Sequence, residues 1–365
     1  GEDKAGEKPA AAALEEDFAA LVGRKYCVAL NSGGCALFVA LKAVGMQPGD
    51  KVLMNAFTLA PVPGAIEHAG GEAVLVDIDD RYVIDLGDLE AKAKASGAKY
   101  LMLSYMRGHL PDMDALMLLC DGLGITVVED CAHTLGAAWR GTPSGGFGAV
   151  ACYSAQTFKH VNSGEGGLLV TDDDDVAAHA ILRSGSYMLY MQHGARPSQE
   201  VFDRHRFHVP NCSMRMSALA ASLIRPQLAL MPERVASWRK SHALVAGALA
   251  GAPHVVIPER PAEEFFVPSS LQFSLEGMSA EQMEAFSHEC AAHGVFLKWF
   301  GNEDAVAFTA RHTHWRYLPE GATVPTADRL LSGLCDIRLP LGMSEEECAA
   351  LAAVIDESVR AVVAR

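Results

Sequence analysis

The chain is 365 residues long, half of them hydrophobic and 21% charged, with a formal net charge of −15. That length exceeds one minimal core and suits two domains. The acidic balance repels nucleic acid and anionic membrane surfaces, and no apolar run reaches the roughly 20 residues that span a bilayer.

Nine cysteines are scattered without a CxxC pair. Cys27, Cys35, Cys120, Cys131, Cys152, Cys290 and Cys348 sit among apolar or small residues, which predicts reduced thiols in a cytoplasmic protein rather than a disulfide framework. The start, GEDKAGEKPAAA, lacks the apolar core of a signal sequence and reads as a mobile or partly helical lead-in.

From residue 14 onward, short β-rich runs alternate with helical patterns. LEEDFAAL is amphipathic; YCVAL (26–30) reads as a strand, and CALFVALKAVG as the helix after it. KVLMNA (51–56), EAVLVDI (72–78), KYLMLSY (99–105), ITVVED (125–130), ACYSA (151–155) and GLLVT (167–171) continue the strand series. Helices fill the gaps, among them DLGDLEAKAKA with its aspartate cap. Strands separated in this way predict an α/β fold with three layers, a mostly parallel sheet covered on both faces. The acidic run Asp172–Asp175 is expected to open an exposed helix.

After about residue 215 the character changes. SALAASLIRPQLALMPERVASWRKSHALVAGALAG reads as a long connecting helix interrupted at Pro226 and Pro232. HVVIP, LQFSL and VFLKWF, mixed with two amphipathic helices, suit a smaller α+β C-terminal domain. The expected division is 1–235 for the large domain, including the connecting helix, and 236–365 for the small one.

Three constellations carry chemistry. Asn31-Ser32-Gly33-Gly34-Cys35-Ala36 lies between a strand and a helix, where small residues let backbone N–H groups approach an anion at the helix N-terminus. Alone, it fits a plain strand-to-helix turn better than a phosphate site. Val127–His133 is an apolar strand ending in Glu129 and Asp130. Ligands of open α/β sheets bind at strand carboxyl ends, so Asp130 is placed to hold a protonated ring nitrogen and His133 to face the same ligand. The plain alternative is an N-cap aspartate with a satisfied histidine. Cys131 and His133 lack further ligands at useful spacing, so no metal site is expected.

Lys159 stands between a small/aromatic strand and the Gly-rich turn Gly164-Glu165-Gly166-Gly167. A lysine held in a pocket can lose its proton and form a Schiff base. Ser154 offers a hydroxyl to a phosphate. A phosphate turn, an acidic strand end and a pocketed lysine are together what pyridoxal 5′-phosphate requires.

At this point the sequence resembles the DegT/DnrJ/EryC1/StrS sugar aminotransferases. The order SGG–x–AL, GMQPGDKVL, GGEAVLVDID, GHLPDMDAL, VVEDCAHTLGA and SxxxxKxxxxGEGGLLVTDD carries the resemblance over about residues 14–230, most specifically from Val128 to Asp172. It implies the fold-type I aspartate-aminotransferase architecture and a homodimer with sites at the interface. It makes Lys159 the Schiff-base lysine, Asp130 the partner of the pyridine nitrogen, and His133 the neighbour of the phenolic oxygen. Ser32, Gly33, Gly34 and Ser154 would bind the phosphate. The family's dehydratase branch has histidine in place of the lysine, so Lys159 favours amino transfer. The implied reaction moves an amino group, from glutamate, to a keto or aldehyde group of a sugar, sugar nucleotide or sugar acid.

Several positions depart from the family pattern. The phosphate turn reads Ser-Gly-Gly where Ser-Gly-Thr is usual, and Leu59 replaces an aromatic residue after Phe57-Thr58. The asparagine of the family's Asn-x-Arg-Met segment is Ser213 here, before Met214-Arg215-Met216, with Asn211 two residues earlier as the cross-subunit phosphate contact. Tyr105 takes a histidine slot, and Arg107 is an unusual cation. Tyr105, Arg107, Arg215, Lys298 and Trp299 are the candidate substrate residues. The cations and aromatics of 192–208 (Arg196, Arg204, Arg206) and 297–318 (Arg311, Trp315) add to the case for an acidic substrate or donor. His312 and His314 are read as non-ligands.

Competing readings keep the cofactor but make the protein a lyase, decarboxylase or oxidase of an amino acid, or a non-catalytic cofactor-binding regulator. A nicotinamide enzyme would need a GxGxxG that NSGGCA does not supply.

Overall fold

The computed structural model describes residues 8–307, 311–319 and 321–364. The lead-in at residues 1–7 and part of the 297–318 segment lie outside these.

In chain order the first half runs α1 (Ala10–Val22), β1 (Tyr26–Leu30), α2 (Gly33–Ala43), β2 (Lys51–Asn55), α3 (Pro61–His68), β3 (Glu72–Val76), α4 (Leu86–Ser96), β4 (Tyr100–Ser104), α5 (Met113–Leu123) and β5 (Thr126–Asp130). A small hairpin of β6 (Ala138–Trp139) and β7 (Thr142–Pro143) follows, then β8 (Val150–Ser154), β9 (Gly167–Thr171), α6 (Asp174–Ser184), α7 (Gln199–His205) and α8 (Ala218–Leu228). Seven strands form one sheet in the order β1-β9-β8-β5-β4-β2-β3. β8, β5, β4, β2 and β3 pair in parallel, and β9 runs against both β8 and β1. This is the mostly parallel, helix-covered sheet that the alternating pattern predicts.

Local sequence explains the helix starts. Ser32, Asp85, Asp112 and Asp173 each cap a helix by accepting a backbone N–H with the side chain. Asp172, in the same acidic run, instead accepts from Lys25 N and pairs with Arg24, tying β9's end to the start of β1. The prolines behave differently from expectation. Pro226 lies inside α8, and Pro232 falls in the first turn of α9 (Met231–Leu249), where its missing N–H has no helical partner to lose. The long segment is therefore two helices.

The 235/236 division falls within α9. Beyond it come β10 (Val255–Val256), β11 (Glu264–Phe265), β12 (Ser270–Leu275), α10 (Ala280–Ala292), β13 (Lys298–Trp299), α11 (Pro325–Leu331), β14 (Leu334–Arg338) and α12 (Glu345–Val363). A second, antiparallel sheet has the order β10-β12-β14-β13. β11 reaches back to pair with β6. VFLKWF yields only the two-residue β13, while β14, which periodicity did not single out, is one of the sheet's two interior strands.

Glu129 shows how the sheet positions a loop. It is fully buried and accepts from Tyr105 Oη (2.6 Å), Gly145 N (2.9 Å), Phe147 N (2.9 Å) and Gly148 N (2.6 Å). One carboxylate thus satisfies a turn that would otherwise bury bare N–H groups. Glu129→Ala should lower stability by about 3 kcal/mol or more, and Tyr105→Phe by only about 1, in chemical denaturation. Equal losses would show that the turn does not depend on Glu129.

Candidate functional site

The parallel strands β4, β5 and β8 end at one rim, and the N-terminus of α2 faces it. A cavity of about 550 Å³ opens there, lined by Ser32, Gly33, Gly34, Asp130, His133, Ser154, Lys159, Arg107 and Lys298 among others. Nine of the candidate residues are thus brought together from segments far apart in the chain.

Ser32 caps α2 by accepting from Cys35 N (3.1 Å), leaving the first-turn amides at Gly33 and Gly34 beside the cavity. A Cβ on Gly33 would sit 2.8 Å from Ser154 Cβ, so glycine is what lets this turn approach the strand carrying Ser154.

Asp130 leaves β5 on the cavity side. Its carboxylate accepts from Ser104 Oγ (2.9 Å) and Ala132 N (3.1 Å). Thr58 Oγ1 in turn donates to Ser104 Oγ (2.8 Å), and Asn55 holds the Ser104 backbone through its N–H and C=O. Burial pushes the Asp130 carboxyl up, against the opposing pull of Lys159 and these hydrogen bonds. Ser104 was missed in the sequence, although it ends β4 directly opposite Asp130 in register.

Lys159 Nζ lies 2.8 Å from His133 Nε2. Burial lowers the amine from 10.5 to about 7; Asp130 opposes this, and Arg107, Arg338 and Lys298 reinforce it. His133 is held well below its usual range, first by burial and then by Lys159. With Nδ1 accepting a long contact from Arg107 N (3.4 Å), the neutral ring carries its proton on Nε2 and directs it at the Lys159 lone pair.

Four candidates fall elsewhere. Tyr105 is fully buried on the opposite face of the sheet with its hydroxyl on Glu129, because the last strand residue and its neighbour alternate sides. Trp299 spends its indole N–H on Ser332 O (2.7 Å). The Arg215 guanidinium donates to Gly185 O and stacks over Tyr187. Asn211 Oδ1 accepts from Ser213 N (3.0 Å). None of these four lines the cavity of this chain. Arg204 pairs with Asp175, Arg206 with Asp203 and Arg311 with Asp328, so these cations are committed to local partners. Leu59 does face the cavity, in the slot where the family pattern has an aromatic ring. Arg338, also missed, lines it from the end of β14.

Lys159 has a lower pKa folded than unfolded, so folding expels its proton between about pH 7 and 10.5. The resulting penalty is full below pH 7 and fades as the pH rises toward 10.5. Lys159→Met should therefore be more stable than the parent at pH 6 in the cofactor-free protein, with the margin narrowing toward pH 10 in denaturation titrations. A margin independent of pH would contradict the displaced amine.

The chain is 32% identical to GDP-perosamine synthase of Caulobacter vibrioides over 68% of its own length and 65% of the relative's, so it spans about two thirds of that protein. It is 28% identical to UDP-N-acetyl-3-dehydro-alpha-D-glucosamine 3-aminotransferase of Acidithiobacillus ferrooxidans, over 94% of this chain and 87% of the relative. The crystal structure of 3-amino-5-hydroxybenzoic acid synthase superposes with a TM-score of 0.81 at 26% identity, covering 96% of this chain and 90% of that one. The model of the DegT/DnrJ/EryC1/StrS aminotransferase family matches residues 3–355, and the chain belongs to that family.

Proposed function

We propose that this protein is a pyridoxal 5′-phosphate-dependent aminotransferase that places an amino group on the keto or aldehyde carbon of a sugar-like acceptor. The observation that carries the reading is Lys159, a buried amine lowered to about 7 beside His133, sharing one cavity with Asp130 and the Ser32–Gly34 turn. The amino transfer named for the UDP-sugar relative of Acidithiobacillus ferrooxidans supports the acceptor class.

The residues fit the cofactor. The α2 N-terminus and the Ser154 hydroxyl suit its phosphate, and the close approach permitted by Gly33 makes the cradle. Asp130 would hold the ring nitrogen by a charge-assisted hydrogen bond, with Ser104 and Ala132 N fixing the carboxylate's orientation. When bound, the cofactor supplies an aldehyde carbon and an electron sink. Lys159 is the group to bind that carbon. Once released, its amine near neutrality can take up a proton at Nζ and give it back, the work of a general base and then acid. His133, 2.8 Å away, orients that amine. Leu59, in place of an aromatic ring, would give apolar rather than stacking contact.

Residues 1–235 serve in this reading as the cofactor-binding domain and 236–365 as the smaller domain that closes one wall. Exposed apolar side chains at Tyr187, Met188, Leu189, Met191 and Phe207 suit a face covered by a second copy, which is where Asn211 and Arg215 would reach a partner's site. Seven of the nine cysteines are buried free thiols, consistent with a reducing, cytoplasmic setting. Among the described residues no helix is long and apolar enough to cross a membrane.

The cofactor-loaded protein should show a visible absorbance band, and borohydride reduction followed by peptide mapping should place the label on Lys159. Adding glutamate should bleach the band and release 2-oxoglutarate. A label retained on Lys159→Ala protein would remove the assignment, and carbon dioxide or ammonia released instead would favour lyase or decarboxylase chemistry.

A further inference from the structure

We propose that Arg107, Lys298 and Arg338 form a carboxylate-binding subsite in the same cavity, taking the carboxylate of whichever substrate reacts at Lys159. The inference rests on the amino-transfer reading and adds the substrate's charge to it.

The chain carries −15 overall, yet three basic side chains besides Lys159 line one cavity. Two of them are gathered by a single carboxylate. The Asp336 side chain, fully buried on interior strand β14, lies 3.3 Å from Arg107 Nη2 and 3.2 Å from Lys298 Nζ, and accepts from Gln272 Nε2 (2.7 Å). One buried anion therefore answers two cations. Arg338, two residues on, adds a third at the cavity wall; its guanidinium donates to Phe158 O and lies over the Phe158 ring.

Arg107 is the most telling member. It is only 8% exposed and adopts φ +54, a backbone conformation that a non-glycine residue holds only when its surroundings require it. Its Nε has no hydrogen-bond partner among the described residues. A buried, unpaired guanidinium donor beside an open cavity is a group waiting for an acceptor. The cations also disfavour one another's charge: after burial, Arg107 is the leading cause that lowers both Lys298 and Arg338. An anion placed among them relieves both costs.

The geometry favours a carboxylate on the reacting molecule. Guanidinium groups bind carboxylates through two parallel N–H bonds. The cofactor phosphate already has its own cradle at the α2 N-terminus. All three cations act electrostatically on Lys159, so their ligand lies within reach of the reacting carbon. The carboxylate can come from an amino dicarboxylate donor or from a uronate-type acceptor.

Calorimetry on the cofactor-loaded protein separates these sources, using probes that cannot donate an amino group. Glutarate represents the donor, D-glucuronate the acceptor, and D-glucose the neutral control. At least one acid should bind ten-fold or more tightly than glucose. Arg107→Met and Arg338→Met should each weaken that acid about ten- to one-hundred-fold. Loss confined to glutarate identifies the donor's carboxylate, and loss confined to glucuronate the acceptor's. Should buried Arg107→Met fail to fold, the less buried Arg338→Met decides. Acids that bind no better than glucose, or affinities unchanged in the variants, overturn the subsite. Failure of Lys159 to capture the cofactor is read separately, from the absorbance band, and removes the amino-transfer reading instead.

Discussion

Because side chains alternate across a β-strand, Glu129 and Asp130 leave the end of β5 on opposite faces of the sheet. The site depends on that divergence. Glu129, turned inward, fastens the 145–148 turn that leads into β8 and so helps fix where Ser154 and Lys159 arrive. Asp130, turned outward, meets the cavity and is steadied by Ser104 and Thr58. A burial penalty on each carboxylate is offset by N–H and O–H donors supplied by neighbouring strands and turns, which is why both positions demand an acid.

The second organising feature is charge held at a distance. Asp130 favours a protonated Lys159, while burial and the basic group of Arg107, Lys298 and Arg338 favour the neutral amine. The balance falls near neutrality, where an amine is both a nucleophile and a proton carrier. Asp336, fully buried, anchors Arg107 and Lys298 from the second sheet. The smaller sheet thereby reaches into the chemistry of the larger one, although its nearest strand ends are well separated from Lys159 in sequence.

Much of this was readable from residue patterns. Period-2 and continuous apolar runs located the seven strands of the main sheet to within a residue or two, since each has a local hydrophobic signature. Lys159, Asp130, His133, Ser154 and the Ser32–Gly34 turn meet in one cavity because they sit at strand ends or helix starts, where parallel topology delivers ligands. Tyr105 was misjudged because one residue of strand register decides which face a side chain takes. Trp299 and Arg215 look like ligand groups by type, but each has a backbone carbonyl as its partner. Arg338 and Asp336 gave no local sign, since β14 matters only through its pairing with β12 and β13.

The sequence by itself determined the layered α/β plan, the family and the lysine–aspartate–phosphate-turn constellation, because these rest on local periodicity and on short motifs with fixed spacing. Tertiary structure alone decided which cations share the cavity, which candidates turn away from it, and how far Lys159 is displaced from an ordinary amine. Those outcomes depend on burial and on contacts between residues more than a hundred positions apart, such as Arg107 and Asp336, and no local pattern encodes such distances.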